Sequence, residues 1–187
     1  LELSKLEAGK VELQLGQVTA TGVIDECMRM ISRDAMQKGV ALRTERLDSL
    51  PPIHGDPTRL RQIFLNLLTN AVKYSSEGGR VRISGAADGS FIALRIEDEG
   101  IGMRSTDIST ALRPFERIRN AQTANQEGVG LGLTIVKTLV DAHGGELAIK
   151  SEIGRGTAVT VRLPAEPDNV ADQQPESAAA GETSRFK

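Results

Sequence analysis

Apolar residues recur along this chain with two different periods, and the switches between them mark out its elements. Val11, Leu13 and Leu15 alternate with Glu12 and Gln14, as a half-buried strand does. Val23, Ile24, Met28, Ile31 and Ala35 return at helical spacing and predict a helix over 21–38. Val40 to Leu47 reads as a strand and Pro51-Pro52 as a turn. Residues 56–74 carry the strongest helix signal: Asp56 suits the N-cap, Pro57 the first helical position, and Leu60, Phe64, Leu67, Leu68 and Ala71 make one apolar stripe. Val81 to Ala86 and Phe91 to Glu97 read as a strand pair turning at Asp88-Gly89. A polar, weakly patterned stretch follows over 104–127. A helix over 130–143 closes at Gly144-Gly145, and Leu147 to Ser151 pairs with Thr157 to Leu163.

This order implies an α+β fold: a two-layer sandwich of a mixed, mostly antiparallel sheet with its helices on one face. The ends read differently from the middle. Leu1 to Glu7 has helical character with no cap before it and reads as the last turns of a longer helix, with Gly9 as its C-cap. From Ala165 onward Ala, Gln, Pro, Ser and Glu dominate, with five acids against two bases, too little apolar area to offset the entropy of ordering. The expected organisation is a helix end at 1–9, one domain at 10–164 and a disordered acidic tail at 165–187.

Composition narrows the function classes. Aromatics are 3% of the 187 residues, so aliphatic side chains must fill the core. A net charge of −2 with no basic stripe disfavours nucleic acid as a partner. The apolar runs are short and interrupted, so membrane contact is not expected. Cys27 is the single cysteine and cannot form an internal disulfide, which fits a cytoplasmic location.

Four segments carry candidate chemistry. Gln62, Asn66, Asn70 and Lys73 fall at i, i+4, i+8 and i+11, on one helix face opposite the apolar stripe. Polar residues on an outer face are ordinary, but asparagine is a poor interior helix residue. Two amide oxygens one turn apart, with a lysine a turn further, suit a hydrated magnesium ion and phosphate oxygens. Asp98-Glu99-Gly100-Ile101-Gly102 follows a strand with Ile92, Leu94 and Ile96; the aspartate can accept from an exocyclic amine, and the glycines let the backbone approach a flat ring. Gly128-Val129-Gly130-Leu131-Gly132-Leu133 stands directly before a helix, where free N–H groups and the helix dipole favour phosphate. Such a run also opens dinucleotide folds, but there it follows the first strand tightly. Gly154-Arg155-Gly156-Thr157 reads by itself as a hairpin turn.

Together, and in this order, the four segments resemble the catalytic domain of histidine kinases in the GHKL (Bergerat-fold) superfamily. Asp56 to Tyr74 is similar to its N box, Asp98 to Gly102 to its G1 box, Pro114-Phe115-Glu116-Arg117 to the end of its F box, Gly128 to Leu133 to its G2 box and Gly154 to Thr157 to its G3 motif. Leu3 to Lys10 resembles the end of the second dimerisation helix. Around Pro114 and Gly128 the chain is similar to alphaproteobacterial kinases of the PleC and DivJ type.

The resemblance implies ATP and Mg2+ as cofactors. Asn70 would bind the metal with help from Asn66, Lys73 would reach the phosphates, and Tyr74 would lie against adenine or ribose. Asp98 would bond the adenine amino group, and Gly100 and Gly102 would shape the base pocket. Gly128, Gly130 and Gly132, with Leu131 and Leu133, would wrap the triphosphate, and Thr157 completes the nucleotide-contacting set. Residues 103–127 would form a flexible ATP lid, and Arg117 would reach the terminal phosphate. Asn66, Lys73 and Arg117 would then be the catalytic residues. The implied partners are the histidine-containing dimerisation domain of the same kinase and a downstream response regulator, with this part cytoplasmic within a homodimeric parent that is either free or membrane-anchored.

Two departures stand out. Leu112 occupies the position where the F box opens with an aromatic residue. Neither His54, in a Pro-Gly-rich turn, nor His143, before Gly144-Gly145, sits in a dimerisation helix with the adjacent acid that a phosphoacceptor needs as base, so both read as surface or packing residues. Two other functions fit the same motifs: an ATP-hydrolysing clamp like those of gyrase and chaperone relatives, and a module that senses nucleotide without transferring phosphate. The clamp relatives place a glutamate one turn before the magnesium asparagine to activate water; here that residue is Asn66.

Overall fold

Asp56 shows how the strongest sequence signal becomes structure in the computed structural model, which describes residues 12–116, 118 and 130–166. Its Oδ1 accepts the N–H groups of Thr58 at 2.8 Å and Arg59 at 3.1 Å, and its Oδ2 accepts from the Gln14 N–H at 2.9 Å. Burial pushes this carboxyl up, but the N–H groups of Gln14, Arg59 and Thr58 outweigh it and hold Asp56 below the usual carboxylate range. The helix it caps runs Pro57–Tyr74 and buries Leu60, Ile63, Phe64, Leu67, Leu68, Ala71 and Val72.

In chain order the elements are β1 (Gly16–Val18), α1 (Ala20–Gln37), β2 (Ala41–Glu45), β3 (Ile53–Gly55), α2 (Pro57–Tyr74), β4 (Arg80–Asp88), β5 (Phe91–Asp98), α3 (Ile108–Ala111), α4 (Gly132–Ala142), β6 (Glu146–Glu152) and β7 (Gly156–Pro164). A 3-10 turn at Ser105–Asp107 leads into α3. Five strands form one sheet in the order β2-β4-β5-β7-β6; β2 is parallel to β4 and every other pair is antiparallel. The expected mixed, mostly antiparallel sheet is therefore present.

The register explains the core. Ile83 pairs with Ile96, Ile96 with Val159 and Val159 with Ile149, so one row of β-branched side chains crosses four strands on the inward face. Leu94 and Val161 make the next row. Outward positions carry Arg82, Arg95, Glu97 and Arg162, with ion pairs such as Arg95–Glu97 at 3.0 Å, as a solvated sheet face does. α2 packs between α1 and α4 and lies on β5. Phe64 is the one aromatic among the largest fully buried side chains, and Ile and Leu fill most of the rest, as the scarcity of aromatics requires.

The structure differs from the sequence reading at both small strands. Residues 12–15 form no strand and Leu15 is half exposed; β1 begins at Gly16 because only Gly16–Val18 finds a partner, pairing antiparallel with β3. That pairing also places His54 on a strand rather than in a turn, with its Nδ1 2.6 Å from Glu166 Oε2. Beyond β7, Ala165 bridges Ile53 and the Glu166 N–H donates to Pro52 O at 2.8 Å. The expected helix end at 1–9 and the tail from residue 167 lie outside the described residues. No helix among the described residues is long and apolar enough to cross a membrane.

Candidate functional site

The inward face of β5 runs Ile92, Leu94, Ile96 and then Asp98, so the period of the strand delivers a carboxylate to the end of the core. Asp98 is 7% exposed. Desolvation pushes its carboxyl up to about 6, even though the Thr157 and Gly100 N–H groups and the Lys38 ammonium oppose the shift. The Thr157 N–H donates to Asp98 Oδ1 at 3.2 Å. Ser151 Oγ lies 2.9 Å from Thr157 Oγ1 and accepts the Met103 N–H at 2.9 Å, joining β6, β7 and the loop after β5.

Asp98 forms part of the wall of a cavity of about 490 Å³ bounded by α2, β5, β7, the loop after β5 and the start of α4. From α2 come Asn66, Thr69, Asn70, Lys73 and Tyr74, and from the start of α4 Gly130, Leu131, Gly132 and Leu133. Asn66 Nδ2 donates back to Gln62 O at 2.9 Å, and a β-carbon built on Gly132 would lie 3.4 Å from Asn66 Oδ1 and 3.5 Å from Asn70 Nδ2. Both amides therefore face the first turn of α4, whose N-terminus carries the positive end of the helix dipole. Lys73 Nζ stands 5.1 Å from the centre of the Tyr74 ring.

The two glycines after Asp98 divide their work. Gly102 lines the cavity with φ +60, and a side chain there would run into Glu152 O. Gly100 does not line it: it bridges Ser75 at the end of α2, where a β-carbon would sit 2.2 Å from Tyr74 O. It shapes the site by letting the turn press against the helix.

Of the residues that sequence reasoning nominated, Asn66, Asn70, Lys73, Tyr74, Asp98, Gly102, Gly130, Leu131, Gly132, Leu133 and Thr157 line this one cavity. Gln62, on the same helix face, turns away and accepts from Arg59 Nη1 at 3.0 Å. Arg117, Gly128 and residues 119–127 of the expected lid at 103–127 lie outside the described residues. The near edge of that segment is tied down: the Phe115 N–H, at φ +61, donates to Gly130 O at 3.1 Å, and Thr134 Oγ1 donates to Leu112 O at 3.1 Å. Sequence reasoning missed Thr69, Ile101, Met103 and Val159. Thr69 stands at i+3 from Asn66, Val159 follows from the period of β7, Ile101 lies within the Asp98–Gly102 motif and Met103 directly follows it.

The donor set suits a purine nucleotide with magnesium. A buried acceptor and apolar side chains at Ile96, Ile101 and Val159 share the lining with a lysine and with two amides that face a helix N-terminus. The volume falls within the roughly 300–1,000 Å³ of small-ligand sites. Among the described residues no group of three or more His, Cys, Asp or Glu could hold a metal. Amide oxygens sharing an ion with phosphate suit magnesium, which keeps much of its water.

Residues 55–167 match the profile of the family described as histidine kinase-, DNA gyrase B-, and HSP90-like ATPases. An uncharacterized sensor-like histidine kinase of Rhizobium meliloti (strain 1021) is 37% identical over 174 residues, which cover 93% of this chain and 33% of that protein. The cell-division control histidine kinase PdhS of Brucella anthropi is 35% identical over 173 residues, 88% of this chain and 16% of that protein. The chain thus spans a third or less of the length of these relatives. A crystal structure of full-length ShkA in complex with AMPPNP superposes with a TM-score of 0.76 at 31% identity, covering 87% of this chain and 33% of that one.

Proposed function

From a chain that belongs to the family of histidine kinase-, DNA gyrase B-, and HSP90-like ATPases, we propose the ATP-binding catalytic domain of a cytoplasmic sensor histidine kinase. It acts on a histidine carried by the dimerisation domain of a homodimeric parent, which hands the phosphoryl group to a response regulator. Residues 10–164 form the catalytic unit, after the end of a dimerisation helix at 1–9 and before an acidic tail.

The observation that carries this reading is the single cavity lined by Asp98, by Asn66, Asn70 and Lys73, and by the start of α4. Asp98 accepts the adenine amino group. Tyr74 lies along the base or ribose, with Gly102 beside the ring and Gly100 holding the turn in place. Asn70, with Asn66, orients the metal, Lys73 neutralises phosphate charge, and the N–H groups at Gly130, Leu131, Gly132 and Leu133 cradle the triphosphate, joined by Gly128. Thr157 supports the base end. Arg117 reaches toward the terminal phosphate when the partner domain docks. ATP supplies the transferred phosphoryl group and magnesium disperses its charge.

Asn66 favours transfer over hydrolysis. Its amide has no useful basicity and is bonded to Gln62 O, so it cannot activate water as a carboxylate would. The deciding experiment incubates this chain with labelled ATP, magnesium and a separately supplied dimerisation domain from a kinase of the PdhS type. Label on that domain's histidine, lost with Asn70→Ala, is expected. Nucleotide binding with no transfer to any supplied domain would favour a nucleotide-sensing module instead.

A further inference from the structure

Lys38 lies outside the cavity, yet it decides where one wall of the cavity ends. The last four carbonyls of a helix have no partner within it. In α2 these belong to Ala71, Val72, Lys73 and Tyr74. Ala71 O accepts the Ser75 N–H at 3.0 Å and the Ser75 hydroxyl at 2.7 Å, and Tyr74 O accepts the Ile101 N–H at 3.1 Å. The two that remain are both taken by one side chain: Lys38 Nζ donates to Val72 O at 3.0 Å and also to Lys73 O. Lys38 is the C-cap of α1, so the end of one helix clamps the end of the next. An ammonium there also faces the negative end of the α2 dipole.

The clamped end belongs to the stretch of α2 that lines the nucleotide site. Lys73 and Tyr74 line the cavity from it. The turn after Asp98 is seated on it, through the Ser75–Gly100 bridge and the Ile101 N–H on Tyr74 O. The charge of Lys38 also reaches Asp98 and favours its ionised form, while burial pulls the ammonium itself below the usual lysine range.

We propose that Lys38 is a positioning residue for the nucleotide: by bonding the Val72 and Lys73 carbonyls it holds the phosphate-side Lys73 and the base-side Asp98 turn in one fixed relation. The inference rests on the nucleotide-binding reading above. It assigns to a residue of α1, well removed in sequence from all four motif segments, a part in both affinity and base selectivity.

Calorimetry with magnesium and AMPPNP, and with magnesium and GMPPNP, tests it on wild type, Lys38→Met and Lys38→Arg, each checked by thermal melting to be folded at the titration temperature. Lys38→Met is expected to lose about fivefold or more in AMPPNP affinity, the scale of one hydrogen bond, and to discriminate less between the two analogues. Lys38→Arg, which keeps charge and donors, is expected to recover most of both. A lower melting temperature with affinity and discrimination within about twofold of wild type would reduce Lys38 to a helix cap and overturn the proposal. Should Lys38→Met not fold, Lys38→Gln carries the same comparison with the same outcomes. Failure of wild type to bind AMPPNP would instead overturn the nucleotide reading, and this proposal with it.

Discussion

The backbone N–H of Asp56 donates to Nε2 of the buried His143 at 3.1 Å, so the start of α2 and the end of α4 share one hydrogen bond. The other ring nitrogen, Nδ1, donates to Leu139 O at 2.7 Å. Both nitrogens are therefore engaged, and neither is presented to a phosphoryl donor.

His143→Ala is expected to leave the Asp56 N–H without its partner and to lower stability by about 1–3 kcal/mol, read as a drop in the urea midpoint. Incubated alone with labelled ATP, the wild-type chain should show no phosphohistidine at His143. Label that disappears in His143→Ala would contradict the buried, doubly bonded geometry.

Asp98 gives opposite predictions for the free and bound protein. Its folded carboxyl sits at about 6, above the roughly 3.9 of an unfolded aspartate, so folding favours the protonated form. That contribution is fully present below about pH 4 and is lost as pH rises through about 6. Asp98→Asn should therefore stabilise the nucleotide-free protein at pH 7.5, by up to about 2–3 kcal/mol, with the advantage shrinking toward pH 4.5. The same change should weaken ATP binding about tenfold or more, because a charged hydrogen bond is lost. Melting curves across pH and calorimetry at pH 7.5 read the two effects separately.

Cys27 is fully buried, and its Sγ lies 3.6 Å from Arg61 O. Burial first, and the Glu26 carboxylate second, push the thiol up to about 11 against the opposing pull of Arg61. At pH 8 a disulfide reagent should label native protein far more slowly than protein in guanidinium. Equal rates would mean that α2 does not cover this side chain of α1.

Gly100→Ala introduces a β-carbon 2.2 Å from Tyr74 O, a backbone atom that cannot swing aside. The expected loss is about 2 kcal/mol or more of stability, together with weaker adenine binding, because the displaced turn carries Asp98. Gly16→Ala, with no atom within 4 Å of its β-carbon and, like Gly100, no positive φ, is the control, since both substitutions remove a glycine but only Gly100 is crowded.

Legibility followed the range of the interactions involved. α2 could be read because its cap, its proline and its apolar stripe are all local, and Asp98 because strand period alone assigns it to the inward face. β1 and β3 could not: each has three residues, and they exist as strands only through pairing with one another. Lys38 gave no signal because its bonds reach Val72 and Lys73 across a separation of 34 and 35 residues. Ser151 was invisible for a similar reason, since its role is fixed by Met103 and Thr157 meeting at one hydroxyl. The polar pattern over 104–127 concealed the short α3, whose four residues show no complete apolar period.

The hydrogen bond from the Phe115 N–H to Gly130 O has an evolutionary consequence. It fastens residue 115 to residue 130, the two ends between which the intervening stretch runs. Doubling such a loop changes the closure entropy by only about 0.6 kcal/mol. Descendants of this domain can therefore change the number of residues between Phe115 and Gly130 at little cost in stability, provided they keep the Arg117 and Gly128 assigned above to ATP and the cavity-lining Glu116 and Ile118.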